Sequence, residues 1–202
     1  PAPLDMTNMS VNWDTDFIEQ YKATGHLPYI WFKSIRQMCE TGEPGHSYNF
    51  YENENDTLRN ACTEFTSEDD SDVCNLGSIN LGNIETLEEM REVVSFASRF
   101  LVCGTVRGDV PNEKIQRVRE ENRKIGLGLM GMHEWLMRRG YFYEMNEELA
   151  EWLSVYADES EVSANAQCDV FGVNHPKKYR AIAPAGTIGI LASTTTGIAP
   201  LF

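Results

Sequence analysis

No apolar run in this chain approaches the roughly 20 residues that a membrane-spanning helix needs, so no membrane partner is expected. The start carries no basic leader followed by an apolar segment, and no secretory signal is read from it. Positive charge is scarce: 17 Lys and Arg stand against 31 Asp and Glu, a formal net charge of −14, which argues against a general nucleic-acid surface. A nucleotide is still compatible with that charge, because a few oriented amides outweigh distant, screened carboxylates. Histidine is rare, with four residues and no pair at metal spacing, and Cys-x-x-Cys is absent, so the usual zinc ligand patterns are missing. The five cysteines, an odd count without a tight framework, fit a reducing cytoplasm better than a stapled secreted fold.

What is present is enough for a core. At 202 residues and 42% hydrophobic, the chain has the size of one large domain or of part of a bigger one. Phe17, Ile18 and Tyr21, then Ile30, Trp31, Ile35 and Met38, recur at near-helical spacing with a break over residues 25–28, which predicts two helices with a core-facing aromatic side. Residues 48–51 read as a short strand and 52–57 as a polar loop. The acidic stretch 66–72 reads as a solvated turn. Residues 87–102 form an amphipathic helix with Thr86 as its cap and apolar positions that include Phe100, and Pro111 fits the first turn of a further helix. Lys114, Arg117, Arg119, Arg123 and Lys124 are interleaved with Glu113, Glu120 and Glu121, a pattern read as a salt-bridged surface. Gly126, Gly128 and Gly131 are assigned to close packing, His133 to a partly buried or capping role, and Asn146 to the start of another helix. Residues 181–183 read as a buried strand, and 188–192 as a buried strand or a helix.

The most informative stretch is Asn60-Ala61-Cys62-Thr63-Glu64, a carboxamide, a thiol and a carboxylate on alternate residues, with Cys74 following. In an extended segment the side-chain period is two, so Asn60, Cys62 and Glu64 are expected on one side, converging on a small substrate. A neighbouring carboxylate raises a thiol pKa and so works against a thiolate nucleophile. Cys62 and Cys74 are also too far apart for a close zinc ligand pair. That leaves a neutral thiol beside a base: the glutamate to take a hydroxyl proton, the asparagine to orient the hydroxyl, and the cysteine to work on the attached carbon. The plain alternative is that Cys62 is a small buried residue. Further along, Pro184, Ala185, Gly186, Thr187 and Ile188, followed by Gly189, place small residues where backbone amides can approach a phosphate, with a threonine hydroxyl as an added donor, at a turn feeding a helix. An ordinary glycine turn is the competing reading. Ser193, Thr194, Thr195 and Thr196 are hydroxyl-rich and lie either near substrate or in a solvated loop.

Four motifs in order, Asn60-x-Cys62-x-Glu64, the run from Cys74 through Asn75-Leu76-Gly77-Ser78-Ile79-Asn80-Leu81, the segment Arg123-Lys124-Ile125-Gly126-Leu127-Gly128-Leu129-Met130-Gly131, and Pro184-Ala185-Gly186-Thr187-Ile188, resemble the catalytic large subunit of ribonucleotide reductase. In wording they are most similar to its adenosylcobalamin-dependent class. The resemblance runs from Asn8 to the end at Leu201 and Phe202. It implies an α/β fold, part of a ten-stranded barrel of two five-stranded halves, with the Cys62 loop through its centre. It implies that Cys62 carries a thiyl radical, that Glu64 is the base, that Asn60 holds the sugar hydroxyls, and that Cys74 is one thiol of a redox pair whose partner lies upstream of this chain. Substrate contacts would come from Asn60, Ala61, Cys62, Thr63 and Glu64 and, for phosphate, from Pro184, Ala185, Gly186, Thr187 and Ile188. Ala185 stands where the family usually has threonine, and Ala199 where a glutamate is common.

The resemblance further implies a ribonucleoside di- or triphosphate substrate, a thioredoxin-like reductant, and adenosylcobalamin bound largely outside this chain, or alternatively a separate di-metal radical subunit. The chain begins with Pro1 and lacks strands that barrel closure needs, so residues 1–202 are expected to be a partial catalytic barrel domain completed by a complementary reductase polypeptide. Two other readings stay open: a non-catalytic structural piece that completes a partner's barrel, and a thiol redox or metal-binding module built on Cys62 and Cys74.

Overall fold

The computed structural model describes residues 7–200 and divides the chain into two compact units, Pro1–Asp70 and Ser71–Phe202. Leu201 and Phe202, where the family resemblance ends, lie outside the described residues. The architecture is mixed α/β. Among the described residues the strands form three two-stranded sheets, and no sheet closes into a barrel.

In the first unit, β1 (Ser10–Trp13) leads through α1 (Thr15–Thr24) and α2 (Tyr29–Thr41) to β2 (Gly45–Tyr48), which pairs with β1 in parallel from Ser10↔Gly45 to Trp13↔Tyr48. The helix boundaries follow local chemistry. Asp14 caps α1 by accepting from the Phe17 N–H at 3.0 Å, Gly25 ends it at φ 69°, and Gly42 ends α2 at φ 81°, both in the left-handed region that glycine adopts without penalty. The expected pair of helices is therefore present. The expected aromatic core is not: α1 contributes no buried residue, and Tyr21 and Ile30 are 43% and 57% exposed. A single two-stranded sheet cannot cover both helices, and Trp13, packed at a tilt against Phe17 with centroids 4.5 Å apart, supplies the buried apolar centre instead. The strand expected at residues 48–51 begins earlier, at Gly45, and Tyr51 opens a single 3-10 turn. A hairpin completes the unit: β3 (Leu58–Arg59) pairs antiparallel with β4 (Thr66–Ser67). Its anchor is Asn12 of β1, whose Oδ1 accepts from Ser47 Oγ at 3.0 Å, Asn49 Nδ2 at 2.9 Å and Arg59 Nη2 at 2.8 Å.

The second unit holds the main core. β5 (Asn75–Asn80) and β6 (Ile125–Met130) pair in parallel over six residues, Asn75↔Ile125 to Asn80↔Met130, and are joined by α3 (Leu87–Arg107) and α4 (Glu113–Asn122). Every residue of β6 is buried, the pattern of a strand covered on both faces. On its other side the segment 178–181 adds backbone hydrogen bonds, Ile125 N–H to Lys178 O at 2.9 Å and Leu127 N–H to Tyr179 O at 3.1 Å. α5 (Met132–Arg138) and α6 (Glu147–Phe171) follow, and α6 packs along α3 through Met90, Val94, Val102, Val155 and Ala164. Thr86 and Asn146 cap α3 and α6 as expected, accepting from the N–H groups of Glu89 and Leu149. The glycine-rich run is a strand, and its glycines serve packing: a Cβ on Gly128 would stand 2.7 Å from the Ala181 carbonyl oxygen, a contact that only a backbone shift relieves.

Several surface expectations are reversed. Asp72, assigned to a solvated turn, has a side chain only 2% exposed and paired with Lys124 at 2.8 Å. Within the basic cluster Arg117, 4.0 Å from Glu121, behaves as a salt-bridged surface residue, whereas Arg119, Arg123 and Lys124 are 9%, 5% and 3% exposed. Arg119 Nη1 turns inward to the Gly108 carbonyl at the end of α3 and Arg123 takes a left-handed conformation to end α4, so chain reversal buries them. Pro111 lies just outside α4, whose cap is Asn112. Phe100, expected on the packed face of α3, is 76% exposed, because Ser98 and Leu101 take the inner positions. Residues 181–183 are half-exposed loop rather than a buried strand, with one bridge at Arg180; of the two readings given for 188–192, the helix is the one present, over 186–191. His133 is half-buried, edge-on to Tyr143 at 5.3 Å, in line with its expected role.

The Trp13 Nε1–H donates to His46 Nδ1 at 2.9 Å, which needs the neutral ring, and burial lowers the His46 pKa from its ordinary 6.5. A folded-state pKa below the unfolded one means that protonation favours unfolding: the contribution is complete above 6.5 and is lost as pH falls through the depressed value. Opening free energies of the β1–β2 amides, from hydrogen exchange corrected for intrinsic rates, are expected to decline as pH falls below 6.5, and to flatten in His46→Gln.

Candidate active site

The Asn60–Glu64 segment is a tight loop at the hairpin tip, not an extended strand. β3 and β4 bracket it, the Thr63 N–H bonds to the Asn60 carbonyl at 3.1 Å, and Thr63 sits at φ 63°. A β-branched residue in that region stores strain of about 1–2 kcal/mol, which the surrounding contacts hold in place. The expected period-two alignment is therefore corrected, because the chain reverses within five residues. The reversal itself brings Asn60 and Glu64 together: Asn60 Nδ2 donates to Glu64 Oε1 at 2.6 Å, and Asn60 Oδ1 accepts from the Phe65 N–H at 3.2 Å. Both ends of the carboxamide are spent on shaping the loop.

Glu64 keeps its other oxygen, Oε2, buried and without a hydrogen-bond partner. A buried carboxylate oxygen in that state costs about 1–3 kcal/mol and is a ready acceptor for an incoming hydroxyl. Cys62 lies exposed on the same tip, so the alternative of a small buried residue is ruled out. One neighbour escaped the sequence analysis. Arg59, just before the loop, is tied to Asn12, yet its Nε and Nη1 are buried without acceptors, and burial lowers its pKa. A lone arginine between Leu58 and Asn60 gave no signal, since its environment comes from β1, far back in the chain.

Cys74 belongs to the second unit, half-buried at the entry to β5. Gly126 of β6, the register partner of Leu76, lies close by: a Cβ there would come within 2.9 Å of Cys74 Sγ and 3.0 Å of Ala181 Cβ. The absent side chain is what lets the sulfur and the 178–181 segment flank one strand. Three residues past Ala181, Pro184 and the buried Ala185 turn into α7 (Gly186–Leu191), as expected of a turn feeding a helix. Gly186 faces open space within a concavity of about 380 Å³, whose lining includes Ala183, Pro184, Thr196 and Gly197 and no basic side chain. Thr187 and Ile188 are exposed. In the hydroxyl-rich stretch, Thr194 Oγ1 donates to Glu134 Oε2 at 2.6 Å, and the Thr195 hydroxyl is buried without a partner. Among the described residues there is no group of three or more His, Cys, Asp or Glu that could hold a metal ion, and no helix is long and apolar enough to cross a membrane.

With this geometry in place, comparison with known proteins is direct. The family described as "Ribonucleotide reductase, barrel domain" matches residues 18–158. The chain is 34% identical over 154 residues to a vitamin B12-dependent ribonucleoside-diphosphate reductase of Thermoplasma acidophilum, covering 64% of this chain and 20% of that protein. It is 29% identical over 184 residues to a putative adenosylcobalamin-dependent ribonucleoside-triphosphate reductase of Mycobacterium phage D29, covering 87% and 24%. Among solved structures, a B-12 dependent (class II) ribonucleotide reductase superposes with a TM-score of 0.75 at 19% identity, over 94% of this chain and 30% of that one. The alpha subunit of the Actinobacillus ureae class Id reductase superposes with a TM-score of 0.64 at 20% identity, over 96% and 44%. The chain belongs to the ribonucleotide reductase barrel-domain family, and it spans about a fifth to a quarter of the length of these two sequence relatives.

The loop rests on β2 at a point where no side chain fits: a Cβ on Gly45 would stand 2.7 Å from Thr63 Cγ2. Gly45→Ala is expected to destabilise the first unit by about 1–3 kcal/mol and to displace the loop, read as altered chemical shifts at Asn60, Cys62 and Glu64 with the second unit's spectrum unchanged.

Proposed function

We propose that this chain supplies the radical-bearing loop and one redox thiol of a ribonucleotide reductase, which converts ribonucleotides to deoxyribonucleotides once it is assembled with a complementary reductase polypeptide. The observation that carries the proposal is the Asn60–Glu64 pair, with Glu64 Oε2 buried and unpartnered beside the exposed Cys62, in a member of this family. Cys62, as a thiyl radical, takes the 3′ hydrogen atom of the ribose. Glu64 accepts the 3′ hydroxyl proton through Oε2, while Asn60 fixes the carboxylate's orientation. The 2′ hydroxyl leaves as water, and Cys74 with a second thiol outside this chain gives up two electrons and two protons as their sulfurs join in a disulfide. Cys62 then returns its hydrogen atom to the 3′ carbon, and Glu64 returns its proton to the 3′ oxygen. A thioredoxin-like reductant would reopen the disulfide. Phosphate would rest on the amides of residues 185–188, which need no lysine to receive an anion. The substrate is a ribonucleoside di- or triphosphate, and the compartment is the cytoplasm.

The two relatives are named as vitamin B12-dependent and adenosylcobalamin-dependent, and adenosylcobalamin would be the radical source here, with a separate di-metal subunit as the alternative. Three concavities, at residues 105–174, 134–195 and 182–199, are each about 330–400 Å³ and too small to enclose a corrin ring, in keeping with a cofactor held mainly on other sequence. No step above is routed through it.

Deoxynucleotide formation by the assembled enzyme tests the proposal. Cys62→Ser is expected to abolish turnover by about 10³-fold or more, and Glu64→Gln to lower it by about 10²–10⁴-fold with substrate affinity retained. Undiminished turnover in Cys62→Ser would leave the chain a structural piece of the barrel.

A further inference from the structure

The Asp72–Lys124 pair has no part in the chemistry above, yet it is among the most secluded polar contacts of the second unit. The two side chains are 2% and 4% exposed and meet at 2.8 Å. Asn122 Nδ2 donates to the same Asp72 oxygen at 2.9 Å, and the other oxygen accepts from the Val73 N–H at 2.8 Å. Both carboxylate oxygens are thereby oriented. A buried ion pair is a poor source of stability, since apolar residues of similar volume usually do as well. What such a pair adds is direction, and here the direction concerns Cys74.

Asp72 precedes Cys74 by two residues, and Lys124 immediately precedes β6. On the far side of Cys74 the parallel ladder begins at Asn75↔Ile125. The thiol residue is thus held between two anchors that both land on residues 124–125, an ion pair before it and a hydrogen-bonded register after it. Gly126, the next residue of β6, leaves the space that Cys74 Sγ approaches. Because strand side chains alternate, a slip of one residue would turn the sulfur to the opposite face, and a charged anchor two residues away penalises that slip strongly.

We propose that Asp72 and Lys124 are positioning residues for the Cys74 thiol, fixing the entry to β5 so that the sulfur keeps one orientation beside Gly126. The functional meaning rests on Cys74 being a redox thiol; the geometric content does not.

The test is iodoacetamide alkylation of the full 202-residue chain, read site by site by mass spectrometry, with Cys62 in the other unit as internal reference. The double variant Asp72→Asn/Lys124→Met removes both charges and strands neither, so it is the main arm; Lys124→Arg, which keeps charge and donor, is the conservative arm. Cys74 is expected to react about tenfold faster in the double variant, while amide protection at Leu127 and Leu129 stays within about threefold of native and Cys62 is unchanged. Lys124→Arg is expected to hold the Cys74 rate within about twofold of native. A native Cys74 rate in the double variant overturns the proposal. So does a rise matched by equal loss of protection in β6, which would make the pair a general stabiliser, and so does a Lys124→Arg chain as reactive as the double variant. The redox role is judged separately, by deoxynucleotide formation in assembled enzyme carrying Cys74→Ser: native turnover there removes that role and leaves the alkylation result standing.

Discussion

The parallel pairing of β5 with β6 is the constraint on which the second unit depends. Parallel strands need a long crossover, and here it is α3 and α4, so one six-residue ladder commits the whole of residues 75–130. β6 is buried on both faces, flanked by β5 and by the 178–181 segment, and this is possible because Gly126 and Gly128 present no side chain toward Cys74, Leu76 and Ala181. The core of Met90, Val94, Leu127, Leu129, Trp135 and Trp152 closes over that pair. The Tyr156 hydroxyl donates to the Leu127 carbonyl, and burial raises the tyrosine pKa far above its ordinary value, so this donor stays protonated throughout the physiological range. At the far end Arg139 lies over both Trp135 and Trp152, 4.1 and 4.8 Å from the ring centres.

In the first unit the equivalent constraint is polar. Asn12 gathers three donors from β2, the following loop and the hairpin, and its carboxamide holds Arg59 at the base of the Cys62 loop. The loop then satisfies itself through Asn60 and leaves one oxygen of Glu64 and two nitrogens of Arg59 without partners. Unsatisfied buried groups of this kind are uncommon, and these three belong to residues on either side of the exposed Cys62 in the same hairpin. A strained Thr63 at the same tip fits the tendency of functional loops to hold conformations that packing must maintain.

In this chain, local signals report structure faithfully and long-range contacts leave no local trace. The break after Thr24, the caps at Thr86 and Asn146, and the turn before Gly186 depend on neighbouring residues, and all four lie where the sequence placed them. The membership of Asn60, Cys62 and Glu64 in one short segment was equally legible. Their geometry was not, because an alternating pattern describes a strand and a reversing loop equally well, and the choice was made by β3–β4 pairing and by the fit of Thr63 over Gly45. Asp72 read as solvated because its charge is one of several in a row; its partner lies 52 positions away at Lys124. Tyr21, Ile30 and Phe100 read as core because periodicity reports which face is apolar, not whether anything covers it.

The order of elements, the helix ends, the acidic character and the residue types available for chemistry were set by the sequence alone, since each arises from neighbouring residues or from composition. Tertiary structure decided which charges are buried, where the hairpin reverses, and which oxygen of Glu64 is left open. Those outcomes depend on contacts between residues distant in the chain, Asn12 with Arg59, Gly45 with Thr63 and Asp72 with Lys124, and no local pattern encodes them.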